Sequence, residues 1–272
     1  MPRDPSDFAR GVLNAYRTLD HADAAYLSKS TREPAAGGLG ARPVGHPDFA
    51  DLPLGGSGHC AAAAVFLDLD AFTARTFWED PDTVVRLARA VLTQLVEVVV
   101  DHGGFVLGLR GDGVFACFGG PGSDPELDVA AALGAAAFAL DATEGALNEL
   151  LAMFGLDPVR LRAGADHGRL DFVRTGVQGA SEVNVIGFAA NFAAKCEKTA
   201  NSWELVVGEG LAGQVPNQSL LSPHANSPKS YQRNGVRRTY SFCDVDWRSI
   251  TPHTAGVRED LGGTPISRVR RL

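Results

Sequence analysis

Apolar positions outline this chain before any residue of chemical interest is considered. Residues 60–68 form an unbroken apolar run, Cys-Ala-Ala-Ala-Ala-Val-Phe-Leu, closed by Asp68, and predict a buried strand. Residues 8–28 carry apolar spacings of three and four and predict one or two amphipathic helices. Residues 81–100 repeat that helical spacing, with Pro81 suited to a first turn and Gly103-Gly104 ending the pattern. Two apolar runs, 104–110 and 114–118, flank Arg110-Gly111-Asp112-Gly113. Asp-Gly between such runs predicts a hairpin, because a tight primed turn needs positive φ. Asp112 is therefore expected at a hairpin tip.

Further along, 126–154 predicts a long Ala- and Leu-rich helix broken near Thr143 to Gly145. Residues 159–166 and 169–174 predict a strand pair around His167-Gly168. Residues 183–187 read as extended, 188–198 as a helix and 204–207 as a strand. A loop-rich stretch follows over 209–236, then a last strand over 239–247. The order is βαββαβ with additions, an α+β, ferredoxin-like core. Three parts are expected: a helix and Gly/Pro-rich arm over 1–57, a main domain over 58–216, and an extension over 217–272.

Composition narrows the function. The formal net charge of -7 argues against nucleic-acid or anionic-membrane partners. Charges interrupt the apolar runs before about 18 residues, so no membrane span is expected. The N-terminus lacks the apolar core of a secretion signal. Cys60, Cys117, Cys196 and Cys243 form no Cys-x-x-Cys pair, which disfavours zinc and disulfide frameworks. A cytoplasmic protein is the expectation. Within it, two carboxylates at strand ends, Asp68 and Asp112, are what a pair of hard divalent cations needs.

Four motifs carry a resemblance over about residues 60–215. Phe66-Leu67-Asp68-Leu69-Asp70-Ala71-Phe72-Thr73 resembles the first metal motif of class III nucleotidyl cyclases. Gly103-Gly104, Gly111-Asp112-Gly113 and Phe118-Gly119 are similar to the family's second metal hairpin. Leu161-Arg162-Ala163-Gly164-Ala165-Asp166-His167-Gly168 resembles its next strand. Gly187-Phe188-Ala189-Ala190-Asn191-Phe192-Ala193-Ala194-Lys195 resembles its signature helix, where arginine follows asparagine by four residues.

The resemblance implies cyclisation of a nucleoside triphosphate with two divalent cations, Mg²⁺ or Mn²⁺. Asp68, Asp112 and the backbone carbonyl of Leu69 would hold them. Asp70 has the same charge but does not match a ligand position. Amides around Phe72 and Thr73, where a helix begins, would receive the triphosphate. Asn191 and Lys195, on one helix face, would orient the ribose and stabilise phosphate charge. Lysine lacks the arginine fork, so this exchange is not neutral. The resemblance also implies a head-to-tail homodimer, with metal aspartates from one chain and the asparagine helix from the other.

Base choice departs from the purine cyclases. Two positions that often read the base hold Gly108 and Phe188, neither of which offers a polar side chain. Arg110 is a new charge at the hairpin. These departures, with Arg75-Thr76-Phe77-Trp78-Glu79-Asp80-Pro81, resemble the bacterial pyrimidine cyclases of Pycsar antiphage defence. That subgroup implies UTP converted to 3′,5′-cyclic UMP, or CTP to cyclic CMP, with UTP favoured and a separate effector protein reading the product. The alternatives are a purine cyclase, a silent cyclase-like nucleotide-binding domain, and a diguanylate cyclase, which lacks its second acidic residue here.

Overall fold

A computed structural model gives the fold and describes residues 3–28, 44–261 and 264–266. Residues 30–43 of the Gly/Pro-rich arm and the basic tail Arg268, Arg270 and Arg271 lie outside the described residues.

In chain order, helix α1 (Pro5–Ser28) precedes strand β1 (Ser57–Asp70), short helix α2 (Phe72–Trp78) and helix α3 (Pro81–Asp101). The hairpin β2 (Phe105–Arg110) and β3 (Gly113–Gly119) follows, then α4 (Pro125–Ala142) and α5 (Asn148–Met153). Next come β4 (Arg160–Val177), β5 (Ala180–Ile186), α6 (Phe188–Thr199) and β6 (Leu205–Gly208). The extension adds β7 (Leu221–Pro223), β8 (Lys229–Arg233), β9 (Val236–Tyr240) and β10 (Phe242–Val245). The main sheet runs β2-β3-β1-β4-β6-β10-β7, with β5 paired to β4. Its first four strands have the ferredoxin-like order, with β1 antiparallel to both β3 and β4.

Strand periodicity explains the layers. Ala63, Val65, Leu67 and Leu69 enter the larger core, which α1, α3 and α4 cover. Cys60, Ala62 and Ala64 enter a second core against α6, with Phe66 stacked on Phe115 at 4.3 Å between centroids. Asp68 therefore points to the α6 side of the sheet. Asp80 caps α3 by accepting from the Thr83 N–H, and Pro81 follows at the first turn. α4 and α5 together are long and apolar enough to cross a bilayer, but the apolar window is 72% buried within this fold.

Four expectations are corrected. Residues 159–174 are not a strand pair: β4 is one 18-residue strand, whose hairpin partner is β5. Its glycines mark close approach, not a turn. A Cβ on Gly164 would lie 2.0 Å from the Glu197 backbone nitrogen, so only glycine lets α6 sit there. The tight turn between β2 and β3 is Gly111-Asp112, with Gly111 at φ +64° and Arg110 opposite Gly113. The first turn position takes the positive φ, and Gly113 begins β3. The long helix does not break at Thr143 but passes through a π turn, Thr143–Leu147, into α5. The stretch 209–236 contains strands β7 and β8, and the last strand divides into β9 and β10.

Candidate active site

Backbone pairing brings the two aspartates together. Asp68 is opposite Gly113 in the β1–β3 register, one residue beyond Asp112. The Leu69 N–H donates to the Asp112 carbonyl at 3.2 Å, which ties the hairpin tip to the end of β1. A Cβ on Gly113 would lie 3.0 Å from Asp68 Oδ1, so a bare glycine keeps that oxygen clear. Burial, followed by the negative charge of Asp68, pushes the Asp112 carboxyl above its ordinary range.

Two residues outside the expected set complete this cluster. Arg162 on β4 is opposite Asp68 in register. Its Nη2 donates to Asp68 Oδ2 at 2.8 Å and Nε donates to the same oxygen at 3.2 Å. The same Nη2 is 2.7 Å from Oε1 of Glu197, a buried residue of α6. Burial, and then Asp68, push the Glu197 carboxyl up. Asp70 stands two residues beyond Asp68 on the same face, 3.9 Å from Arg162 Nη1, and accepts from Ser202 Oγ. Three carboxyl groups thus surround one guanidinium, and the Asp112 carboxyl adds its charge beside Asp68. Hard oxygen donors with surplus negative charge fit Mg²⁺ or Mn²⁺. Arg162 occupies Oδ2 and so turns Oδ1 of Asp68 toward the hairpin. The signal for Arg162 was a charge inside an apolar strand; Glu197 lies only two residues beyond Lys195.

The other expected residues lie around this centre. Half-buried Phe72 packs on the main core and, with exposed Thr73, opens α2 immediately after β1. No side chain caps that helix, and Ala71 before it has φ +58°. Arg110 folds back over β2: a Cβ on Gly108 would meet Arg110 Nε at 3.5 Å. The guanidinium thus covers the ground left by the missing side chain at 108.

Asn191 and Lys195 are exposed on α6. Lys195 and Glu197 are about 200° apart around the helix, on opposite sides. Glu197 faces the chain's own Asp68, so Lys195 faces away from it. Lys195 instead meets Tyr231 of β8, Nζ to Oη at 2.9 Å. Phe188, half exposed, sits beside Phe192, Tyr231 and Tyr240. The site residues therefore divide into two groups on one chain.

A second cluster, Glu204, His224 and Asp244, brings possible ligand atoms within 4.8 Å of one another. Its chemistry argues against a cation. His224 Nδ1 accepts from the Asn226 N–H at 3.0 Å, which leaves the ring proton on Nε2. Nε2 is the atom facing Asp244, 3.8 Å from Oδ1, and carries no lone pair for a metal in that tautomer. The triad is a polar seam beside β6, β7 and β10.

No family model matches the chain. It is 23% identical over 195 residues to a cytidylate cyclase of Staphylococcus aureus, covering 70% of this chain and 45% of that one. The chain thus spans about half the length of this curated relative. Among solved structures, the guanylyl cyclase Cya2 superposes with a TM-score of 0.58 at 21% identity, covering 70% of this chain and 93% of the other. The adenylyl cyclase CyaB from P. aeruginosa gives 0.59 at 17% identity, covering 70% and 95%. A class III adenylyl cyclase-like ATP-binding protein from Pseudomonas aeruginosa gives 0.58 at 21%, covering 72% and 40%. By strand order and by these likenesses, the chain has the fold of the class III nucleotidyl cyclases.

Proposed function

We propose that this protein is a nucleotidyl cyclase that acts on a pyrimidine nucleoside triphosphate. The pairing of Asp68 and Asp112 at adjoining strand ends carries the reading. Asp68, Asp112 and the Leu69 carbonyl would hold two Mg²⁺ or Mn²⁺ ions. Such ions acidify the ribose 3′-hydroxyl and offset charge on the phosphates. A bond forms between the 3′-oxygen and the α-phosphorus, the bond to the bridging oxygen breaks, pyrophosphate leaves, and the hydroxyl proton passes to solvent. Arg162 fixes the orientation of Asp68. Amides at Phe72 and Thr73 receive the triphosphate. Asn191 orients the ribose, and Lys195 meets phosphate charge.

The opposed faces of α6 support a head-to-tail homodimer. Lys195 turns away from its own aspartates, so it is placed to serve a partner's. The loss of polar side chains at the two purine-reading positions, Gly108 and Phe188, supports a pyrimidine, and Arg110 supplies a donor beside the first of them. A guanidinium donates only, and both cytosine and uracil offer acceptors at O2. Cytosine adds N3 beside O2, two neighbouring acceptors that suit a fork, and the curated relative is named a cytidylate cyclase. CTP is therefore as good a substrate as the UTP that the sequence favours. The cyclic product is read by a separate effector.

The test offers CTP, UTP, ATP and GTP with Mn²⁺, identifies products by mass spectrometry, and runs Asp68→Ala beside the wild type. The expected result is a cyclic pyrimidine monophosphate that Asp68→Ala does not make. A purine product overturns the assignment of Arg110. No product from any triphosphate leaves a silent nucleotide-binding domain.

A further inference from the structure

Lys195 is where the resembling motif has arginine, and a lone lysine is a poor replacement. Its ammonium rides on a flexible four-carbon stem and lacks a planar fork. The structure shows what restrains it. Nζ donates to Tyr231 Oη at 2.9 Å and lies 4.8 Å from the centre of the same ring. The ammonium thus sits at the hydroxyl end of the ring, held by the hydroxyl oxygen. Tyr231 is itself held. It is half-buried in the middle of β8, opposite Arg238 of β9, with its ring 6.0 Å from that of Phe188. An ammonium has three donors. Tyr231 takes one, which leaves two on an exposed side chain. The contact aims the charge and does not sequester it.

We propose that Tyr231 is a positioning residue that fixes the Lys195 ammonium, so that lysine performs the task arginine performs in the resembling motif. The proposal rests on the reading that Lys195 meets the triphosphate. A purely structural Tyr231, which only docks the β8–β9 hairpin on α6, makes different predictions.

The experiment compares four full-length proteins: wild type, Tyr231→Phe, Lys195→Arg, and the double variant. Tyr231→Phe keeps the ring and loses the hydroxyl. It is expected to lower kcat about tenfold while KM moves less than about twofold, as for an interaction made in the transition state. With Lys195→Arg, whose fork is preorganised, the same change is expected to move kcat less than about twofold. Equal losses in both backgrounds, or no loss in either, overturn the proposal. A second readout needs no turnover. Acetic anhydride labelling, mapped by mass spectrometry against Lys198, should modify Lys195 faster in Tyr231→Phe than in the wild type. Equal labelling overturns the contact itself. A wild type that makes no cyclic product overturns the cyclase reading, and this role with it, while the labelling still reports the Lys195–Tyr231 contact.

Discussion

Asp112 is held where its charge is disfavoured. Burial and the adjacent Asp68 both disfavour its ionised form. Asp112→Asn should therefore raise Tm by about 1–3 °C while lowering cyclase activity at least about 100-fold, a split that thermal melts and turnover assays together detect. Asp166 gives a pH-dependent counterpart. It is fully buried on β4, and burial pushes its carboxyl from 3.8 to about 6 against the hydrogen bonds from Tyr240, His167 and Leu211. The folded state holds the proton more tightly than the unfolded chain. Stability from this group is thus present below pH about 4 and falls as pH rises to about 6. Asp166→Asn should gain on the wild type through that window, with a ceiling of about 3 kcal/mol above it, as denaturant melts at pH 4 and 8 would show. Asp68 and Asp112 were legible in the sequence because each ends an apolar run. Arg162 and Glu197 were not, because what they do depends on a register and a helix face that spacing alone does not fix.

At the scale of elements, the π turn between α4 and α5 determines where Asn148 lands. Its side chain accepts from the Val159 N–H at 2.8 Å and donates to the Val159 carbonyl at 2.9 Å, pinning the chain just before β4. Asn148→Ala removes both bonds beside a buried valine and should cost about 2 kcal/mol in denaturant melts, without changing KM. Periodicity gave the helices and the β2–β3 hairpin nearly as they stand. It misread β4, because Gly164 and Gly168 look like turn formers in one dimension. In three dimensions they are where α6 backbone and the Ala189 methyl come against the strand. The extension was misread because its strands are three to five residues long and mostly exposed, so they leave little apolar pattern.

Across the whole molecule, the division of site residues into two groups makes complementation the decisive measurement. Asp68→Asn and Asn191→Ala proteins should each be inactive alone. Mixed in equal amounts after exchange of subunits, they should recover about a quarter of wild-type activity, since about half the dimers are mixed and each has one intact site. No recovery would mean that each chain completes its own site. The glycine at 164 has one more consequence. With no side chain between them, strand and helix are in direct backbone contact, and Arg162 and Glu197 are clasped across that joint. At that one point the helix rests on bare backbone, which fixes how far it can slide or roll there. If the site is completed across a dimer as proposed, the motion that admits substrate would run along the seam between protomers, and a regulator would act there.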